Sequence, residues 1–203
     1  MMGAEPLAPK DKKNLDGYEV LLCVTGGIAC YKSADLTSKL LAAGAGVSVA
    51  MTEAAMRFVA PLTFQTLSQR QVFTTLWLPT EDFRSGHLAP TESADLMVVA
   101  PATADIIGKF AAGLADDLVS TLALSAAGEC PILLAPAMNT RMWESPPVQA
   151  NMRRLKEWGF HTVGPDSGRL ACGTTGPGRM AEPDEILQAV TTYLLKKPPK
   201  KAS

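Results

Sequence analysis

Tyr18-Glu19-Val20-Leu21-Leu22-Cys23-Val24-Thr25-Gly26-Gly27-Ile28-Ala29 is an apolar, β-branched run that ends abruptly on a hydroxyl and two glycines. From Val20 to Val24 no polar residue alternates with the apolar ones, which is how a strand buried on both faces of a parallel sheet reads. Ile28 to Ala43 then sets Ala34, Leu36, Leu40 and Leu41 on one helical face and stops at Gly44. Strand, glycine turn and helix open a β-α-β unit, and Gly46 to Met51 supplies the returning strand.

The alternation continues outward. Thr52 is placed to cap a short helix through Phe58, because its hydroxyl can accept from the free amides of the first turn, and Pro61 to Ser68 reads as another short helix. Thr74 to Pro90 holds no clean period and carries Trp77, Pro79, Gly86, His87 and Pro90, as a long surface loop does. Beyond it come a strand at Leu96 to Ala100, helices at Ala104 to Ala112 and Asp117 to Ala126, and a strand at Pro131 to Ala135. A helix from Pro146 to Trp158, a short strand at His161 to Val163 and a last helix from Asp184 to Leu195 complete the order. This predicts a single α/β domain over residues 17–195, a doubly wound parallel sheet with helices on both faces. Residues 1–16, and the basic end 196–203 interrupted by Pro198 and Pro199, read as disordered flanks.

Composition narrows the function classes. With 203 residues, 47% of them apolar, the chain can bury a full core in one domain and has little room for a second. The net charge is −1 and the lysines cluster only at the end, so no basic face for nucleic acid is expected. There is no run of eighteen apolar residues and no start of signal-peptide character, so neither a membrane span nor export is expected and the chain reads as cytoplasmic. Cys23, Cys30, Cys130 and Cys172 form no C-x-x-C pair, which argues against a zinc site or a disulfide scaffold; no metal is expected.

Ligands of such sheets collect outside the carboxyl ends of the strands. Four segments follow strands directly: Thr25-Gly26-Gly27-Ile28-Ala29, Met51-Thr52-Glu53-Ala54, Ala100-Pro101-Ala102-Thr103-Ala104-Asp105 and Ala135-Pro136-Ala137-Met138-Asn139. Their small or hydroxyl-bearing residues let backbone amides approach a flat or phosphorylated ligand, and the first offers a helix N-terminus to a phosphate. A fifth segment, Leu170 to Met180, places Cys172 among Gly173, Gly176, Pro177 and Gly178, too many breakers for helix or strand. A thiol on such a loop, expected to be mobile and able to close over a ligand, is a candidate for chemistry rather than packing.

Pro136-Ala137-Met138-Asn139-Thr140-Arg141-Met142-Trp143 resembles the P-x-M-N-x-x-M-W motif of the homo-oligomeric flavin-containing cysteine decarboxylases, and Cys172 in its glycine-rich setting resembles the substrate clamp of the phosphopantothenoylcysteine-specific branch. The likeness runs in order from about Val20 to the last helix, through T-G-G-I-A, M-T-E-A-A, the isolated His87, A-P-A-T-A-D and D-D-L-V-S-T. It implies a Rossmann-like, flavodoxin-like fold that binds FMN between subunits of a trimer, often built further into a dodecamer. Gly26, Gly27, Ile28, Thr52, Phe58, Thr103, Ala104, Asp105 and Ala137 match the segments that surround FMN; His87 and Cys172 match the catalytic pair. Asn139, with Met142, Ala171 and Arg179, matches the substrate side. Thr174 and Thr175 stand where the family more often has an acidic residue.

The implied reaction decarboxylates phosphopantothenoylcysteine to phosphopantetheine on the route to coenzyme A. Oxidation of the thiol-bearing carbon to a thioaldehyde lets the electrons released with carbon dioxide spread into an ene-thiolate, which is then reduced again. His87 is the expected acid-base partner, Asn139 fixes the carboxylate, and Cys172 gives the last proton. Each residue also has a plainer reading. His87 is an exposed loop histidine, Asn139 a helix cap, Met142 core, Arg179 a solvated residue beside glycines, and Cys23, Cys30 and Cys130 small buried hydrophobes, with His161 an ordinary strand residue. The competing functions are oxidative decarboxylation of a peptide's C-terminal cysteine, a non-catalytic flavoprotein regulatory subunit, and, on fold alone, a flavin prenyltransferase.

Overall fold

The computed structural model describes residues 14–77, 89–170, 173 and 175–200. Strands β1 (Glu19–Val24), β2 (Gly46–Met51), β3 (Val72–Phe73), β4 (Leu96–Ala102), β5 (Ile132–Pro136) and β6 (His161–Thr162) form one sheet in the order β3-β2-β1-β4-β5-β6, parallel throughout. That is the Rossmann order, and with the two-residue β3 set aside it is the flavodoxin order. The helices between them are α1 (Cys30–Ala42), α2 (Glu53–Met56), α3 (Pro61–Ser68), α4 (Ala89–Ser93), α5 (Ala104–Ala112), α6 (Leu118–Ala126), α7 (Thr140–Trp143) and α8 (Pro146–Glu157), and α9 (Pro183–Leu194) closes the described chain.

Alternation along β1 builds two cores. Val20, Leu22 and Val24 face Leu36 and Leu40 of α1, Phe64 of α3 and Ile186, Val190 and Leu194 of α9. Leu21 and Cys23 face the opposite layer of Ile106, Ile107 and Phe110 on α5, Val119 and Leu122 on α6 and Leu155 on α8. Burial on both faces is why these strands read as continuous apolar runs, each large side chain contributing about 1.5–3 kcal/mol. Among the described residues no helix is long and apolar enough to cross a membrane.

Several expectations need correcting. The domain begins before residue 17: Leu15 is fully buried and its amide donates to the Ala43 carbonyl at 3.0 Å. At the other end, residues 196–200 are mostly exposed, yet their backbone is hydrogen-bonded to the N-terminal edge of the sheet. The Tyr18 hydroxyl donates to the Lys197 carbonyl at 2.7 Å, and the Lys200 amide donates to Asp95, whose other oxygen accepts from the Glu19 amide at 2.8 Å. The stretch expected as one loop from Thr74 to Pro90 is bordered by β3 and α4, with 78–88 outside the described residues.

The largest correction concerns the glycine-rich segment. Its flanks are paired strands, β7 (Asp166–Arg169) against β8 (Thr175–Arg179), an antiparallel hairpin separate from the main sheet. Tertiary contact overrides the poor strand propensity of glycine and proline here. Gly178 adopts φ +133°, and a Cβ at that position would overlap the Met138 carbonyl, so the backbone itself packs against the segment leading into α7.

Candidate active site

The four strand-end turns converge on one cavity of about 1240 Å³ above the carboxyl edge of the sheet. Thr25, almost fully buried, ties two of them together: its hydroxyl donates to the Pro101 carbonyl at 2.6 Å and accepts from the Thr103 amide at 3.3 Å. β4 carries a register irregularity between Val99 and Ala102, which turns the chain at this edge. Three turns then start helices through side-chain caps. Thr52 accepts from the Ala55 amide at 3.2 Å, Thr103 from the Ile106 amide at 3.4 Å and Asn139 from the Met142 amide at 2.9 Å.

The first turn differs from the other three. Ala29 has no capping side chain, and while the Gly27 amide faces the Cys30 sulfur, no described group accepts from the backbone amides of Gly26, Ile28 and Ala29. A Cβ on Gly26 would overlap that of Ala54, so only glycine lets this turn approach α2. Free amides, small residues at Ala104 and Ala137 and an apolar rim at Ile28 and Phe58 suit a flat ring carrying a phosphate. The residues present therefore fit a flavin mononucleotide.

All nine positions expected around the flavin line this cavity: Gly26, Gly27, Ile28, Thr52, Phe58, Thr103, Ala104, Asp105 and Ala137. Asn139, Met142 and Arg179 line it too. His87, Ala171 and Cys172 lie outside the described residues, as does Thr174; Leu170, the residue before Ala171, lines the cavity from the end of β7. Asn139 is indeed a helix cap, and the capping bond leaves its Nδ2 without a described acceptor while the side chain lines the cavity. Cap and ligand-binding roles are thus compatible in one residue. Met142 is 48% exposed and not core.

The remaining cysteines behave as small hydrophobes. Cys23, Cys30 and Cys130 are free and buried, and burial pushes each thiol up from its ordinary value. Cys30 donates to the Thr25 carbonyl at 2.9 Å. His161 lies over the Tyr193 ring, centroids 4.2 Å apart, and burial holds its pKa below the usual histidine value.

Charged groups also line the cavity, among them Lys32 and Lys109, which the residue patterns do not single out. Lys32, in the first turn of α1, pairs with Glu182 at 2.9 Å and donates to the Met180 carbonyl at 3.3 Å. Its partner lies 150 residues away, so no local pattern announces the contact. Lys109 sits between Asp117 at 2.6 Å and Asp116 at 2.9 Å; hydrogen bonding to Asp117 raises its pKa and Lys109 in turn lowers that of Asp116. Arg179 spans Asp166 at 3.8 Å and Glu182 at 3.6 Å, while its Nε is buried without a partner. Burial, then the neighbouring Glu185, raises the pKa of Asp166.

A doubly wound sheet whose strand-end turns meet at one cavity has the architecture of the nucleotide-binding class of α/β proteins. Residues 9–195 match the model of the flavoprotein family, and the chain belongs to that family. A solved PPC decarboxylase, a cysteine-to-serine mutant complexed with pantothenoylaminoethenethiol, is 30% identical, with a TM-score of 0.78 over 87% of this chain and 97% of that one. The FMN binding protein AtHal3 is 29% identical, with a TM-score of 0.77 over 90% and 99%. The coenzyme A biosynthesis bifunctional protein CoaBC of Bacillus subtilis is 48% identical over 86% of this chain and 42% of its own length; that of Escherichia coli is 43% identical over 89% and 44%. The chain thus spans less than half the length of these curated relatives.

Proposed function

We propose that this chain is an FMN-dependent decarboxylase of 4'-phosphopantothenoylcysteine, forming 4'-phosphopantetheine for coenzyme A biosynthesis. The observation that carries this reading is the convergence of the four turns and Asn139 on one cavity, facing the hairpin that leads into Cys172. The family membership and the likeness to a PPC decarboxylase over nearly its whole length support it.

FMN, held by the amides of Gly26 to Ala29 and the small residues Ala104 and Ala137, would supply a two-electron acceptor for the thiol-bearing carbon and return those electrons at the end. Asn139 orients the substrate. With its Oδ1 committed to the Met142 amide, it presents Nδ2 as a donor to the carboxylate that is to leave. His87 holds or accepts a proton near neutrality, as an imidazole can. Cys172 gives its thiol proton to the carbon left electron-rich by loss of carbon dioxide.

The same reading assembles the chain into cytoplasmic homotrimers, or dodecamers of four trimers, with the flavin between subunits. Exposed Ile28, Tyr31 and Phe58 at the cavity rim give the apolar surface that such an interface needs. The FMN-loaded protein, given phosphopantothenoylcysteine and a cysteine-ended peptide side by side, should release carbon dioxide and phosphopantetheine from the former. Absence of carbon dioxide from it would refute the assignment. Light scattering should give a mass that is a multiple of three chains.

A further inference from the structure

Five basic side chains line the cavity: Lys32, Arg57, Lys109, Arg169 and Arg179. Four are already neutralised. Lys32 meets Glu182 at 2.9 Å, Arg57 meets Glu53 at 3.4 Å, Lys109 meets Asp117 at 2.6 Å, and Arg179 lies within 4 Å of both Asp166 and Glu182. Among the described residues no carboxylate stands within ion-pair distance of Arg169. Arg169 is the surplus positive charge of the cavity.

Its place in the chain matters as much as its charge. It ends β7, opposite Thr175 of β8, with an exposed side chain, and so stands on the hairpin rather than on the sheet edge. A substrate with an anion at each end needs two separate anchors in one cavity. Asn139 on the sheet side serves the carboxylate, and an unpaired guanidinium on the hairpin side suits a phosphate monoester, which it can grip with paired donors. Arg179, bridging two carboxylates, is the weaker candidate for that task.

We propose that Arg169 is a specificity-determining residue that binds the terminal phosphate monoester of the substrate, so that the enzyme prefers a phosphorylated pantothenoylcysteine over the unphosphorylated compound. This rests on the decarboxylase reading above. The other phosphate this cavity would take is that of FMN, which the free amides of the turn after β1 suit.

The test uses the FMN-loaded protein and its Arg169→Ala and Arg169→Lys variants on phosphopantothenoylcysteine and pantothenoylcysteine. Arg169→Ala should raise KM for the phosphorylated substrate by about 10- to 100-fold, the range of a lost charge-assisted contact, and lower the preference between the two substrates at least tenfold. The lysine variant should recover part of that preference, as a point charge without the planar fork. Equal losses on both substrates, or a preference kept at the wild-type level, overturn the Arg169 assignment alone. Binding of FMN and riboflavin to the apoprotein, followed by flavin fluorescence, separates the two phosphates: a selective loss of FMN affinity in Arg169→Ala assigns the residue to the cofactor and overturns the proposal. A wild-type protein that decarboxylates neither compound defeats the decarboxylase reading, and this inference with it.

Discussion

The strand-end turns and the β7–β8 hairpin line the same cavity from opposite sides, yet they are held by different kinds of force. The turns grow out of strands buried on both faces and are fixed by Thr25, Thr52, Thr103 and Asn139 through side-chain hydrogen bonds. The hairpin is a two-stranded ribbon outside the main sheet, of a size that is marginal alone. It is held by the Met138–Gly178 backbone bond at 2.9 Å, by packing on α7 and by the long ion pairs of Arg179. One wall is tied into the main sheet through side-chain bonds; the other rests on fewer contacts, which under the decarboxylase reading suits an element that closes over substrate.

Substitutions on the two walls should therefore separate flavin retention from turnover. The largest effect is expected from Cys172→Ser, which should slow formation of the fully reduced thiol product by about 10²–10⁴-fold while the flavin stays bound. Product mass spectrometry with the visible spectrum checks both, and wild-type amounts of phosphopantetheine would remove Cys172 from the mechanism. Next come two glycines with matching steric predicaments. Gly178→Ala forces strain of about 1–3 kcal/mol into the hairpin, so kcat/KM should fall roughly 10- to 100-fold with flavin absorbance intact. Gly26→Ala collides with Ala54 and should cost flavin content instead. If both variants lose flavin alike, the division between the walls is wrong.

A subtler effect is expected at Asn139. Asn139→Ser keeps an oxygen for the Met142 amide but removes Nδ2, whereas Asn139→Ala removes both and should cost about 1 kcal/mol more in stability. Equal loss of decarboxylation with unequal melting temperatures would separate its cap from its donor role.

The smallest effect is a pH dependence of the hairpin. Asp166 has its folded pKa raised, so the docked hairpin binds a proton that the open chain has already released. Docking should weaken as pH rises from about 4, the ordinary carboxylate value, through the raised one, and should be flat beyond both. Hydrogen exchange of β8 amides measures this, and Asp166→Asn should abolish the slope.

The same division explains what could be read from residues alone. The sheet was legible because Val20 to Val24, Val49 to Met51 and Leu96 to Ala100 are apolar on both faces, and because hydroxyls at Thr52 and Thr103 announce helix starts. β3 was not, since Val72-Phe73 is too short to show a period. The hairpin was hidden because its pairing depends on Gly178 fitting the Met138 carbonyl, a contact between distant segments that runs against local propensity. Lys32, Leu15 and Lys200 were missed on the same ground: each is defined by a partner far along the chain. Cavity residues on the turns are legible in the sequence, whereas on the hairpin Arg179 is and Arg169 is not.

The Met138–Gly178 bond joins the two walls at a single peptide, one residue before Asn139. Any excursion of the hairpin must pull on, or let go of, the backbone that aims the Asn139 amide. Under the decarboxylase reading proposed above, seating of the hairpin and alignment of the departing carboxylate would thereby be geared to each other, and a half-shut site would also be a misaimed one.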